Sequence, residues 1–210
     1  MSDPDRADAD SDSASVRVAV TGTPGTGKTT AAALLDDEYD VIHLNDRIKG
    51  DDALWTERDA DRDTLVADLD AVREHLGDWS GVLDSHLAHR FDVDRVVVLR
   101  CRPETIETRL GERGESDATA AEPAEPEEPS RALTRKAREN AESEALDVIL
   151  SEAVAEHGIE NVYEIDTTDR DPEAVAGAIR ATIEGDREPS AGTVDFIDYM
   201  GTGRDGRHDR

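Results

Sequence analysis

Three stretches of this sequence carry residue types at spacings that chemistry requires: Gly22-Thr23-Pro24-Gly25-Thr26-Gly27-Lys28-Thr29, Asp84-Ser85-His86, and Arg109 with Arg113. The first fits Gly-x-x-x-x-Gly-Lys-[Ser/Thr], placed between an apolar run (Val16–Thr21) and a helix-forming one (Ala31–Leu35). In that setting the backbone N–H groups of the turn, together with the positive end of the next helix, form a cradle for phosphate oxygens. Gly25 and Gly27 keep the loop open, Lys28 reaches β- and γ-phosphates, the Thr29 hydroxyl ligates Mg²⁺, and Thr30 follows it. A glycine turn could join a strand to a helix without binding anything, but every constrained position here agrees with the phosphate loop. The pattern implies a nucleoside triphosphate.

Asp84 closes a short apolar run, Ser80–Asp84, where a carboxylate would hold Mg²⁺ directly or through water; otherwise it caps a loop. His86, two residues on, either orients an attacking water or acceptor hydroxyl or bonds the loop. Arg109 and Arg113 are four apart on one helix face, as a phosphate-clamping lid or an exposed helix would have them. Arg47, Arg58 and Arg62 are either acceptor-phosphate partners or solvated surface charges. His43 is expected as a packed or edge histidine, His89 at the surface, and Cys101 as a packed thiol.

The elements that must position these groups follow in order. Helical spacing predicts a helix over Lys28–Asp37, a strand at Asp40–Leu44, a mobile excursion over Asn45–Asp61, and a helix from Arg62 to Leu76. Strands follow at Ser80–Asp84 and Arg95–Arg100, the latter a β-branched run suited to a buried parallel strand. A helix runs from Pro103 to Arg113; Glu115–Ser130 reads as a disordered acidic loop; a helix spans Arg131–His157. A fifth strand at Asn161–Asp166 and a helix opened by Asp171-Pro172 and closed near Gly185 complete the set. Alternation of this kind predicts an α/β fold, a three-layer α/β/α P-loop NTPase with a five-stranded parallel sheet. Residues 1–15 read as a disordered acidic leader, 16–185 as the core, and 186–210 as a flexible tail. Within the core, 45–61 is the expected monophosphate-binding segment and 112–136 the lid.

The chain has 210 residues and a formal net charge of -27, with Lys28, Lys49 and Lys136 its only lysines. Carboxylates spread through periodic segments suit a folded acidic surface in a salty cytoplasm, since near 1 M salt the Debye length is about 3 Å. No Lys/Arg-rich stripe is visible, so strong direct nucleic-acid binding is not expected. One cysteine excludes an internal disulfide and fits a reducing, cytoplasmic setting. No apolar run approaches membrane-spanning length. The absence of an Asn-Lys-x-Asp motif argues against a guanine-nucleotide switch.

Taken together, Gly22–Thr30, Leu83-Asp84-Ser85-His86, Leu99-Arg100, Arg109-Leu110, Glu112-Arg113-Gly114, Lys136–Asn140 and Glu144–Leu150 resemble the archaeal and nuclear adenylate kinases of the isoenzyme-six type. The resemblance covers about Val16 to Gly185. It implies a broad-specificity nucleoside monophosphate kinase (ATP and AMP to two ADP) with ATPase activity. It also implies a part in late maturation of the small ribosomal subunit and rRNA processing, beside the platform protein uS11. By resemblance Gly25, Gly27, Lys28, Thr29, Thr30 and Arg113 hold ATP, and Asp84 with His86 handles Mg²⁺ and water. An ATP-driven assembly factor with little kinase turnover and a small-metabolite kinase of the same fold remain alternatives. Residues 115–135 lengthen the passage that such proteins make from Arg-Gly to the lysine-bearing helix.

Overall fold

The computed structural model describes residues 16–59, 64–120 and 128–202. In chain order the elements are β1 (Arg17–Thr21), α1 (Lys28–Ala33), β2 (Val41–His43), α2 (Leu44–Gly50), β3 (Trp55–Asp59), β4 (Thr64–Ala67), α3 (Leu69–Leu76) and β5 (Gly81–Asp84). They continue with β6 (Arg95–Arg100), α4 (Pro103–Ala120), α5 (Glu128–Ala145), α6 (Val148–His157), β7 (Val162–Asp166), α7 (Pro172–Glu184) and α8 (Tyr199–Thr202). Five strands form one parallel sheet in the order β2-β5-β1-β6-β7. Because β1 is central and the chain leaves it first toward one edge and later toward the other, its carboxyl end lies at the switch point where such sheets bind ligands.

The alternation of side chains along each strand builds two cores. Ala19, Leu83, Val96 and Val98 face a layer that includes Leu44 and Ile48 of α2, Val72 of α3 and Leu150 of α6. Val18, Val20, Val97 and Leu99 face the other way, against Ala31 of α1 and Val175, Ala176 and Ile179 of α7. Val96 to Leu99 are buried without interruption, as a strand covered on both faces must be. Asp171 caps α7 by accepting from the Ala174 N–H, Pro172 stands in its first turn, and Gly185 ends it at φ 83°.

Several expected boundaries move, each for a local reason. The helix expected from Arg62 starts at Leu69, because Asp68 accepts from the N–H groups of Asp70 and Ala71 and so sets the N-terminus. Leu65 and Val66 belong instead to β4, which pairs antiparallel with β3. Part of the expected excursion is the helix α2, whose Leu44 and Ile48 lie four apart and are both buried. The helix expected to Asp37 ends at Ala33. In the stretch expected to be disordered, α4 runs on to Ala120 and α5 starts at Glu128, in keeping with the helix propensity of Ala and Glu; 121–127 lie outside the described residues. The single helix expected over 131–157 is two, broken at Asp147, the one described non-glycine residue at positive φ (53°). That left-handed turn, costing about 1–2 kcal/mol, lets the Asp147 carboxylate accept from Arg100. Residues 186–202, expected as tail, are tied back: the Arg187 guanidinium donates to the Glu164 carbonyl (2.9 Å), and the Thr193 N–H to the Glu164 carboxylate (2.7 Å). The Tyr199 hydroxyl donates to Glu107 of α4 (2.9 Å). The expected leader, residues 1–15, lies outside the described residues.

Candidate active site

At the end of β1 the chain turns through the glycine loop into α1. Gly22 has φ 138°, and a Cβ there would lie 2.4 Å from the Leu99 carbonyl oxygen, so the loop leaves the sheet where no side chain fits. Gly25 has φ 99° and packs against Ile106 and Leu110, which seats α4 directly on the loop. The loop's carbonyls are held by side-chain donors from the loop itself and from surrounding elements. Lys28 Nζ and the Thr26 hydroxyl donate to Thr23 O (3.0 and 2.9 Å), Arg109 Nη1 to Gly25 O (3.2 Å), and the Thr167 hydroxyl to Thr26 O (2.9 Å). With these oxygens occupied, the negative ends of the loop's peptides are neutralised beside a site meant for an anion.

Lys28 is buried, and burial pushes its ammonium down to about 8, opposed by Asp84 and Glu144 and aided by Arg113. Asp84, at the end of β5, is 2% exposed. Its Oδ2 accepts from His43 Nδ1 (3.0 Å), while its Oδ1 is buried with no partner among the described residues. Lys28 and Asp84 are close enough for the carboxylate's charge to be felt at the ammonium. Thr29 and Thr30 stand exposed in the first turn of α1. His86 is partly buried; burial first, then the positive charges of Lys28, Arg90 and Lys136, push it down to about 4, so its ring is neutral at pH 7. It can therefore donate one hydrogen bond and accept another but cannot serve as a cationic clamp.

Arg109 and Arg113 do not share a target. Arg109 is half-buried under the loop, bonding Gly25 O, Cys101 Sγ (3.4 Å) and Thr167 O (3.3 Å). Arg113 is exposed, within electrostatic reach of Lys28. Arg47 lines a groove with Asp40, Val41, Asp78 and Trp79, at the opposite ends of the strands from the loop. Arg58 lies on β3, and Arg62 is outside the described residues. His89, expected at the surface, is buried: Nε2–H donates to Glu152 (2.9 Å), and Nδ1 lies 3.0 Å from the Thr21 hydroxyl, which also reaches the His86 carbonyl (3.2 Å). The correction has a simple cause. The turn after β5 folds His89 under the end of β1, where Glu152 of α6 supplies a partner.

The sequence places Arg100 and Glu144 within matched stretches but assigns them no role. Arg100 is fully buried among the carboxylates of Glu144, Asp147 and Glu164, with the Phe196 ring 5.6 Å away. Glu144 accepts from Arg100 Nε (2.7 Å) and from the Thr23 hydroxyl (2.6 Å), which joins α5 to the phosphate loop. The available signal was the run Ala137, Ala141, Ala145, buried at four-residue spacing, which marks the close-packed face that Glu144 flanks.

A phosphate loop at the switch point of a five-stranded parallel sheet, with a lysine and a strand-end carboxylate at its mouth, defines a P-loop NTPase of three-layer α/β/α architecture. The sequence pattern of the family described as "AAA domain" matches residues 18–147. A protein of Halobacterium salinarum is 58% identical over 187 residues, covering 88% of this chain and all of the relative. One from Natronomonas pharaonis is 56% identical over 186 residues with the same coverage, and one from Methanocaldococcus jannaschii is 34% identical over 196 residues, 88% of this chain and 97% of the relative. Each carries the description "Putative adenylate kinase". The chain belongs to this archaeal adenylate kinase family of phosphotransferases.

Proposed function

We propose that the chain transfers the γ-phosphoryl group of ATP to a nucleoside monophosphate, AMP first, and hydrolyses ATP more slowly when no acceptor is bound. The observation that carries this reading is a buried ammonium, Lys28, within electrostatic reach of a buried carboxylate, Asp84, one of whose oxygens has no partner among the described residues. Leaving such an atom unsatisfied costs about 1–3 kcal/mol, so a site that keeps it has a use for it. Among the described residues no group of three or more His, Cys, Asp or Glu could hold a metal alone. Mg²⁺ takes one or two protein oxygens and fills the rest of its shell with phosphate and water. Asp84 and Thr29 would hold it, and bound Mg²⁺ supplies charge neutralisation at the β- and γ-oxygens. Lys28 binds those oxygens from the loop, and Arg113 reaches them from α4. An oxygen of the acceptor phosphate attacks the γ-phosphorus, the bond to the bridging oxygen breaks, and ADP leaves; a phosphate dianion has no proton to remove, so no base is required. Neutral His86 orients a water in the slower hydrolysis. Arg109 positions the loop through Gly25.

The test is ADP formation by the purified chain in molar KCl with MgATP, with and without AMP. AMP raises the rate if the reading holds; an unchanged rate refutes it. The finer reading adds a cytoplasmic role in small-subunit maturation beside uS11, supported by the resemblance around Asp84-Ser85-His86 and by a net charge of -27 suited to a basic ribosomal partner. A pull-down with uS11 tests it: capture that weakens steeply with salt supports it, and absence of capture at low salt refutes it.

A further inference from the structure

Asp84 is held by a neighbour that no motif marks. β2 and β5 pair in parallel with His43 directly opposite Asp84, and His43 Nδ1 lies 3.0 Å from Asp84 Oδ2. The carboxylate can only accept, so Nδ1 carries the hydrogen. The other ring nitrogen faces Asp36 Oδ1 at 3.5 Å, on the turn that ends the α1 segment bearing Lys28 and Thr29. The imidazole lies between two carboxylates, and Asp84, set by strand register at its backbone and by the His43 bond at Oδ2, is left with Oδ1 as its open oxygen. We propose that His43 is a positioning residue for magnesium: by occupying one oxygen of Asp84 it commits the other to the metal and its water. This rests on the reading of Asp84 as the magnesium-handling carboxylate. Partners of metal-binding carboxylates act through the ligand's orientation, and their loss weakens metal affinity while leaving metal-independent contacts intact.

The experiment is calorimetric titration of the full chain with a non-hydrolysable β,γ-imido analogue of ATP, in molar KCl, across a magnesium series. His43→Leu removes the donor; His43→Asn keeps an N–H near the place of Nδ1. The magnesium concentration that half-maximally tightens analogue binding should rise about ten- to a hundredfold in His43→Leu and stay within about threefold of wild type in His43→Asn. Metal-free affinity should be equal in all three. Asp36→Asn should move the half-point in the same direction by less. A His43→Leu protein that follows wild type across the series overturns the proposal, as does one that loses affinity equally with and without metal. Should His43→Leu fail to fold, His43→Ala replaces it, and equal half-points for Ala and Asn overturn the proposal. A wild type that binds no analogue refutes this inference and the kinase reading together. One whose magnesium response is intact while AMP goes unphosphorylated refutes the kinase reading alone.

Discussion

Replacing Lys28 by methionine should destroy function and make the folded chain more stable. Its ammonium is buried, and burial brings it from 10.5 down to about 8. At about 1.4 kcal/mol per unit, that shift represents roughly 3 kcal/mol of folding free energy given up to keep a charge in the loop. Methionine keeps the apolar stem, and the Thr23 carbonyl retains the Thr26 N–H and hydroxyl, so no new unpartnered group arises. For a chain of this size the gain corresponds to a melting point higher by about 6–12 °C at pH 7. The pH dependence gives the sign. Between about 8 and 10.5 the unfolded lysine keeps its proton while the folded one has lost it, so wild-type stability rises with pH through that window. The cost is fully present below 8, and by pH 9.5 the gap between variant and wild type should shrink to roughly 1.4 kcal/mol. Denaturant unfolding at pH 7 and 9.5 in constant high salt reads both. MgATP at a hundred times its Kd should stabilise wild type by about 2.7 kcal/mol and leave the variant unmoved. A Lys28→Met protein no more stable than wild type at pH 7, or a gap indifferent to pH, would show that the ammonium is not strained in its site.

Asp84→Asn should cut turnover at least about a hundredfold while metal-free ATP binding persists; loss of both together in calorimetry would assign Asp84 a structural role instead. Gly22→Ala forces a Cβ to 2.4 Å from the Leu99 carbonyl, so it should abolish ATP binding and lower the melting point; unchanged binding would contradict the loop geometry. Arg100→Met leaves Glu144, Asp147 and Glu164 without their shared cation and should cost about 3–5 kcal/mol in denaturant unfolding. His86→Ala should slow hydrolysis more than it weakens ATP binding, and the hydrolysis profile of wild type should show no His86 limb between pH 5 and 8, since that ring is neutral above about 4.

The sheet was legible because its evidence is local: β-branched runs such as Val96-Val97-Val98, a glycine loop after β1, and Asp171-Pro172 before α7 each announce themselves within a few residues. The hairpin of β3 and β4 was not, because Leu65 and Val66 fit a helical spacing as well as an alternating one, and only the Asp68 cap decides between them. Within the site, Lys28 and Asp84 follow from motif and strand end. The groups behind them do not, since His43 meets Asp84, and Glu144 meets Thr23 and Arg100, only through strand order and helix packing across separations of 41 to 121 residues. His89 shows the same limit: a polar residue in a turn reads as exposed until the fold supplies Glu152.

The most direct measurement follows the label when ATP carrying ³²P in its γ-position is incubated with Mg²⁺, AMP and the chain in molar KCl. Transfer places the label in newly formed ADP at a rate that rises with AMP and vanishes in Lys28→Met. Label found only in inorganic phosphate, at a rate indifferent to AMP, would mean that the loop hydrolyses ATP and phosphorylates nothing.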